Sequence, residues 1–96
     1  MTFEQIREIH QTFEKLANRG TDCYFEQQAC DGMNLYLQSP TRKISKLIFE
    51  QMKKLNYVKD FEYFTRSQIV FYFRSNEAPD LQLIFPKKID KTKVMF

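Results

Sequence analysis

The sequence predicts one α+β domain in the order α-ββ-α-βββ, a mainly antiparallel sheet of about five strands packed against two amphipathic helices. Three observations predict it. Two stretches repeat apolar residues at helical spacing between start and stop signals, five short runs of strand-like composition are separated by polar turns, and 96 residues suffice for one core only. With 43% hydrophobic and 28% charged residues, and only two Gly and three Pro, the composition is that of a folded chain. Residues 1–86 are read as the domain. Residues 87–96 form a basic tail ending in Val94, Met95 and Phe96, which either frays or docks back.

The first helix is read from Phe3, Ile6, Ile9, Phe13, Leu16 and Ala17 on one face, with Glu4, Arg7, Glu8, Gln11, Glu14 and Lys15 mostly opposite. Thr2 and Gln5 have capping-box spacing, and Gly20 is the expected stop. Runs 23–29 and 33–38 flank Asp31-Gly32 and suggest a hairpin. A two-residue turn would mix apolar and polar side chains on one face. A three-residue loop, Cys30-Asp31-Gly32 with Gly32 left-handed, is therefore preferred; it sets Ala29 opposite Met33 and Phe25 opposite Leu37. Ser39 is the expected cap of the second helix, with Pro40 in its first turn, Ile44, Leu47, Ile48, Met52 and Leu55 on its apolar face, and Asn56 at its end. Runs 57–64, 69–75 and 81–85 complete the sheet. Ile69 to Phe73 is apolar on both faces, which predicts the central strand.

The net charge of +3 resides wholly in the tail, where Lys87, Lys88, Lys91 and Lys93 face only Asp90; residues 1–86 are neutral. A polyanionic partner must therefore be argued from local clusters. The first residues lack a basic stretch followed by an apolar one, and no apolar run approaches membrane-spanning length, so a cytoplasmic location is the default expectation. The two cysteines, Cys23 and Cys30, fit neither a disulfide framework nor a metal-ligand spacing, and both are read as free thiols.

Residues with potential chemistry have ordinary explanations. His10, the only histidine, borders the apolar stripe of the first helix with no cysteine at nucleophile–base spacing. Cys30 has only Asp31 beside it, so nothing activates it as a nucleophile. Asp60 and Glu62 stand two apart on a strand, as paired carboxylates would, but beside Lys59 and several aromatics they read as a solvated polar face. Pro79-Asp80 lacks the acid-x-Lys element of metal-dependent nucleases. No catalytic residue, metal or cofactor is expected, and the chain is read as a non-enzyme.

Two features point to binding. Arg42, Lys43, Lys46, Lys53 and Lys54 share the outer face of the second helix with Glu50 alone among them. Such faces are common on soluble helices; the functional reading is a contact for phosphates or an acidic protein, extended by Lys87 and Lys88. Tyr57, Phe61 and Tyr63 are read as alternating with Lys59 along one strand face, while Tyr24 and Tyr36 turn away from Phe25 and Leu37. Uncovered, these rings offer base-stacking platforms or protein anchors; covered by a helix, they are core. The Gly-bearing aromatic signature of RNA-recognition motifs is absent from 69–74.

In size and composition the chain resembles the short proteins that phages and mobile elements use to occupy a site on a larger host machine. The resulting expectation is a small inhibitor or adaptor that docks on a larger protein or nucleoprotein and blocks its site sterically. Partner-binding residues are Arg42, Lys43, Lys46, Lys53, Lys54, Tyr57, Lys59, Tyr63, Tyr36, Lys87 and Lys88. Two alternatives stand beside it: an RNA or single-stranded DNA binder using the basic helix and tyrosines, and a small RNA-cleaving toxin; a homodimer joined through an exposed edge strand is compatible with each.

Overall fold

The computed structural model describes residues 1–19 and 21–88, with Thr21 described by its backbone alone. Helix α1 (Phe3–Ala17) starts on the expected capping box: the Thr2 hydroxyl accepts from the Gln5 amide at 3.2 Å and the Gln5 side chain accepts from the Thr2 amide at 2.8 Å. The anticipated stop at Gly20 and the tail beyond Lys88, including Lys91, Lys93 and residues 94–96, lie outside the described residues. Strands β1 (Thr21–Gln27) and β2 (Met33–Ser39) pair antiparallel, with Phe25 opposite Leu35 and Gln27 opposite Met33.

That register differs by two residues from the sequence expectation. The link is longer than three residues: a 3-10 turn at Ala29–Asp31 lies inside it, closed by the Gln28 amide donating to the Gly32 carbonyl at 2.7 Å. Cys30 and Asp31 take the left-handed conformation instead of Gly32, whose φ is −62°. A shift of two preserves which side chains share a face, so the apolar pattern survives the longer loop.

Helix α2 (Arg42–Lys54) is capped by Thr41, whose hydroxyl accepts from the Ile44 amide at 3.1 Å, and not by Ser39; Pro40 precedes the helix and is buried. Ser39 still pairs with Thr21 as the last residue of β2, so it is not available to cap. The helix closes as expected at Asn56, left-handed at φ 57°, with the Asn56 amide donating to the Lys53 carbonyl and the Tyr57 amide to the Met52 carbonyl. This double bond satisfies the last carbonyls. Inside α2, Ser45 is buried and its Oγ has no hydrogen-bond partner. Ser45→Ala is expected to leave stability unchanged or raise it by up to about 1 kcal/mol, read from urea midpoints, because removing a lone desolvated hydroxyl relieves its cost. A loss above that amount would show that the hydroxyl is satisfied.

Strands β3 (Val58–Phe64), β4 (Gln68–Arg74) and β5 (Leu81–Pro86) complete a five-stranded sheet of order β1-β2-β5-β4-β3. β2 and β5 run parallel and the other neighbours antiparallel. β4 lies inside the sheet, but the middle position belongs to β5, which is buried along most of its length. Both helices cover one face. Phe13 and Ala17 of α1 and Ile44, Ile48 and Met52 of α2 pack in a single cluster with Cys23, Met33, Leu35, Leu37, Phe73, Leu81, Leu83 and Phe85. No described helix is long and apolar enough to cross a membrane.

Candidate functional site

Alternation along the strands sends every second side chain to the face without helices. There the register builds a row across all five strands: Tyr24, Tyr36, Ile84, Val70 and Tyr63. Four inter-strand spacings make it about 19 Å long. The next row reads Glu26, Asn34, Gln82, Tyr72 and Phe61, polar over β1, β2 and β5 and aromatic over β4 and β3. Ile84 and Val70 are 7% and 2% exposed. Tyr24, Phe61 and Tyr63 are exposed.

The rings are held in fixed poses. Tyr24 and Tyr36 stack at 4.4 Å between centroids and 11° between planes, and Phe61 and Tyr72 at 4.8 Å and 8°. Arg74 lies 5.7 Å from the Tyr72 ring and pairs with Asp60 at 3.1 Å. Hydroxyls point to carboxylates and amides: Tyr36 donates to Glu26 at 3.3 Å, Tyr63 to Gln82 at 3.0 Å, and Tyr72 to Asp80. Rigid, pre-positioned rings lose little side-chain entropy on contact with a partner.

These surroundings also shift the tyrosines. Burial, then the Glu26 charge, pushes the Tyr36 phenol up; the hydrogen bond to Asp80, then burial, does so for Tyr72. Tyr57 is pushed up furthest, by burial and then by Asp80, and its hydroxyl donates to the Pro79 carbonyl at 2.5 Å. Folded tyrosines thus keep their protons where unfolded ones lose them, so stability is flat below about pH 10 and falls as pH rises above it. Urea midpoints are expected to drop as pH rises from about 10 to 12, and Tyr57→Phe to reduce that drop. An equal drop in the variant would remove Tyr57 from the account.

The structure divides the residues anticipated from sequence. Arg42, Lys43, Lys46, Lys53 and Lys54 are exposed on α2, in the layer on the far side of the sheet from the Tyr24–Tyr63 row. Lys87 and Lys88 are exposed just after β5, at the end of the sheet where β2 leaves for α2. Tyr36 and Tyr63 belong to the open face. Tyr57 does not: its ring meets Phe13 edge-on at 6.1 Å on the helix side.

Nor do Tyr57, Lys59, Phe61 and Tyr63 share one strand face as expected. The β3–β4 register breaks between Lys59 and Phe61, so Lys59 faces with Phe73 toward the helices and Phe61 with Tyr72 away from them. An extra residue at Asp60 resets the alternation. The same break parts the two carboxylates: Asp60 reaches Arg74, while Glu62 pairs with Lys59 at 3.7 Å. Tyr72, Val70 and Ile84, which complete the open face, were masked in sequence by runs apolar on both sides.

Two further residues have structural roles. His10 is buried, its Nε2 lies 2.7 Å from the Asp31 carbonyl and its ring is 5.7 Å from Phe25, tying α1 to the β1–β2 link. Cys23 is buried, which pushes its thiol up, and Cys30 is exposed; neither forms a disulfide. Comparison with protein-family models, curated proteins and solved structures finds no match for the chain.

Proposed function

We propose that this chain is a non-catalytic binding module that docks through its helix-free sheet face on a larger protein or nucleoprotein and acts sterically, as an inhibitor or adaptor. The row from Tyr24 to Tyr63, backed by Phe61 and Tyr72, carries this reading. Clustered, pre-stacked aromatics over a dry aliphatic centre are the side chains that anchor protein interfaces. The charged groups tied to those rings favour a protein over a phosphate backbone, because Glu26, Asp60 and Asp80 outnumber Arg74 there. The cations of α2 belong to the opposite layer, so stacking and phosphate contact do not coincide on one surface.

The immobilised chain should retain a protein from lysate of its source cell. Nuclease treatment should not release it, Tyr24→Ala with Phe61→Ala should abolish retention, and reversal of Lys43, Lys46, Lys53 and Lys54 to Glu should spare it. Retention lost on charge reversal and kept by the aromatic variant would overturn the assignment in favour of a polyanion contact on α2.

A further inference from the structure

The rows on the helix side of the sheet end on β3 in Lys59, Glu62 and Phe64, none of which is covered. All seven residues of β3 are exposed, among them Val58 at 69% and Phe64 at 63%. Among the described residues its outer edge has no strand partner. An unpaired edge of this length, with Val58, Phe61, Tyr63 and Phe64 exposed along it, is a template for another strand.

Beside the start of β3, a cleft of ≈ 490 Å³ runs under the rim of α2, lined in part by Phe49, Met52, Tyr57, Lys59 and Phe73. One strand therefore carries an exposed apolar knob, Phe64, at its end and leads from an apolar cleft at its beginning. Antiparallel self-pairing brings each knob to the other copy's cleft.

We propose that β3 pairs antiparallel with β3 of a second copy, about a two-fold axis between Asp60 and Phe61. This register sets Lys59 opposite Glu62 of the second copy, Val58 opposite its Tyr63, and Tyr57 opposite its Phe64, each twice by symmetry. Directly opposed residues must share a face, and here they do: Lys59 and Glu62 lie on the helix side, where they already pair at 3.7 Å, and Val58 and Tyr63 align with Arg74 and Val70 on the other. An unbroken strand could not satisfy this, since residues three apart would point to opposite faces; the register break at Asp60 makes it work. Centring the axis on Phe61 instead would set Asp60 against Glu62, two like charges. The pairing joins two five-stranded sheets into one of ten; β3 also carries Phe61 and Tyr63 of the docking face, but the test below changes only Lys59 and Glu62 on the helix side, so its failure and that of the docking reading are distinguishable.

Sedimentation velocity over a concentration series is expected to show a reversible shift from the 11.7 kDa monomer to twice that mass. Lys59→Glu and Glu62→Lys, each alone, set like charges face to face and should weaken the dimer about tenfold or more. Mixing the two variants restores both opposite-charge pairs, so the mixture should dimerise as the wild type does. Circular dichroism checks that each variant is folded, and recovery on mixing reads the register itself. A wild type that stays monomeric up to millimolar concentration, single variants that dimerise unchanged, or a mixture that does not recover would each overturn the proposal.

Discussion

Phe13→Ala is expected to lower the unfolding free energy by about 4 kcal/mol, the largest effect of any single substitution considered for this chain. Phe13 is fully buried, sits at the centre of the α1 contact with the sheet, and meets the Tyr57 ring edge-on. Truncation removes a large apolar area and leaves a cavity where a backbone helix cannot collapse freely. Against a total stability of about 5–15 kcal/mol for an ordinary domain, that is a large share. It should lower Tm by roughly 15–30 °C. Phe3, on the same helix but 76% exposed, is the control: Phe3→Ala should change stability by less than about 0.5 kcal/mol. A Phe13→Ala loss as small as the control's would mean that α1 does not dock as described.

The second large effect is on binding. With the partner in hand, Tyr24→Ala and Phe61→Ala should each weaken the complex by about 2 kcal/mol, the usual scale for a central aromatic anchor. The two residues lie at opposite ends of the face, on β1 and β3, and share no contact, so their effects should add to about 4 kcal/mol, or roughly a thousandfold in Kd. Each substitution also breaks a stacked pair, so the free variants should lose about 0.5–1.5 kcal/mol of folding stability. Isothermal titration separates the two losses. Affinity unchanged in the double variant would remove the open face as the docking surface.

Much of the local structure was legible because local rules decided it. The capping box at Thr2, the left-handed Asn56 and the apolar faces of both helices each depend on residues within a turn of one another. The cap of α2 was misplaced by two residues because Ser39 and Thr41 are equally good caps in isolation, and only the pairing of Ser39 with Thr21 reserves it for the sheet. The hairpin loop was misjudged for a related reason. Left-handed Cys30 and Asp31 carry no glycine signal, while Gly32, the residue that does, is not left-handed.

The candidate site was legible in its ingredients and not in its assembly. Tyr36 and Tyr63 were singled out, yet their place in one row depends on Ile84 and Val70, which β5 and β4 bring between them. Tyr57 and Lys59 were grouped with Phe61 because an unbroken alternation was assumed, and a bulge leaves no mark on composition. By itself the sequence determined an α+β domain of two amphipathic helices and five strands, since hydrophobic period and capping are properties of neighbouring residues. Only the tertiary structure decided that both helices cover the same face, that the cations and the tyrosine row lie in opposite layers, and that β3 is left open. Those outcomes follow from strand order and register, which join residues far apart in the chain through contacts that no local pattern encodes.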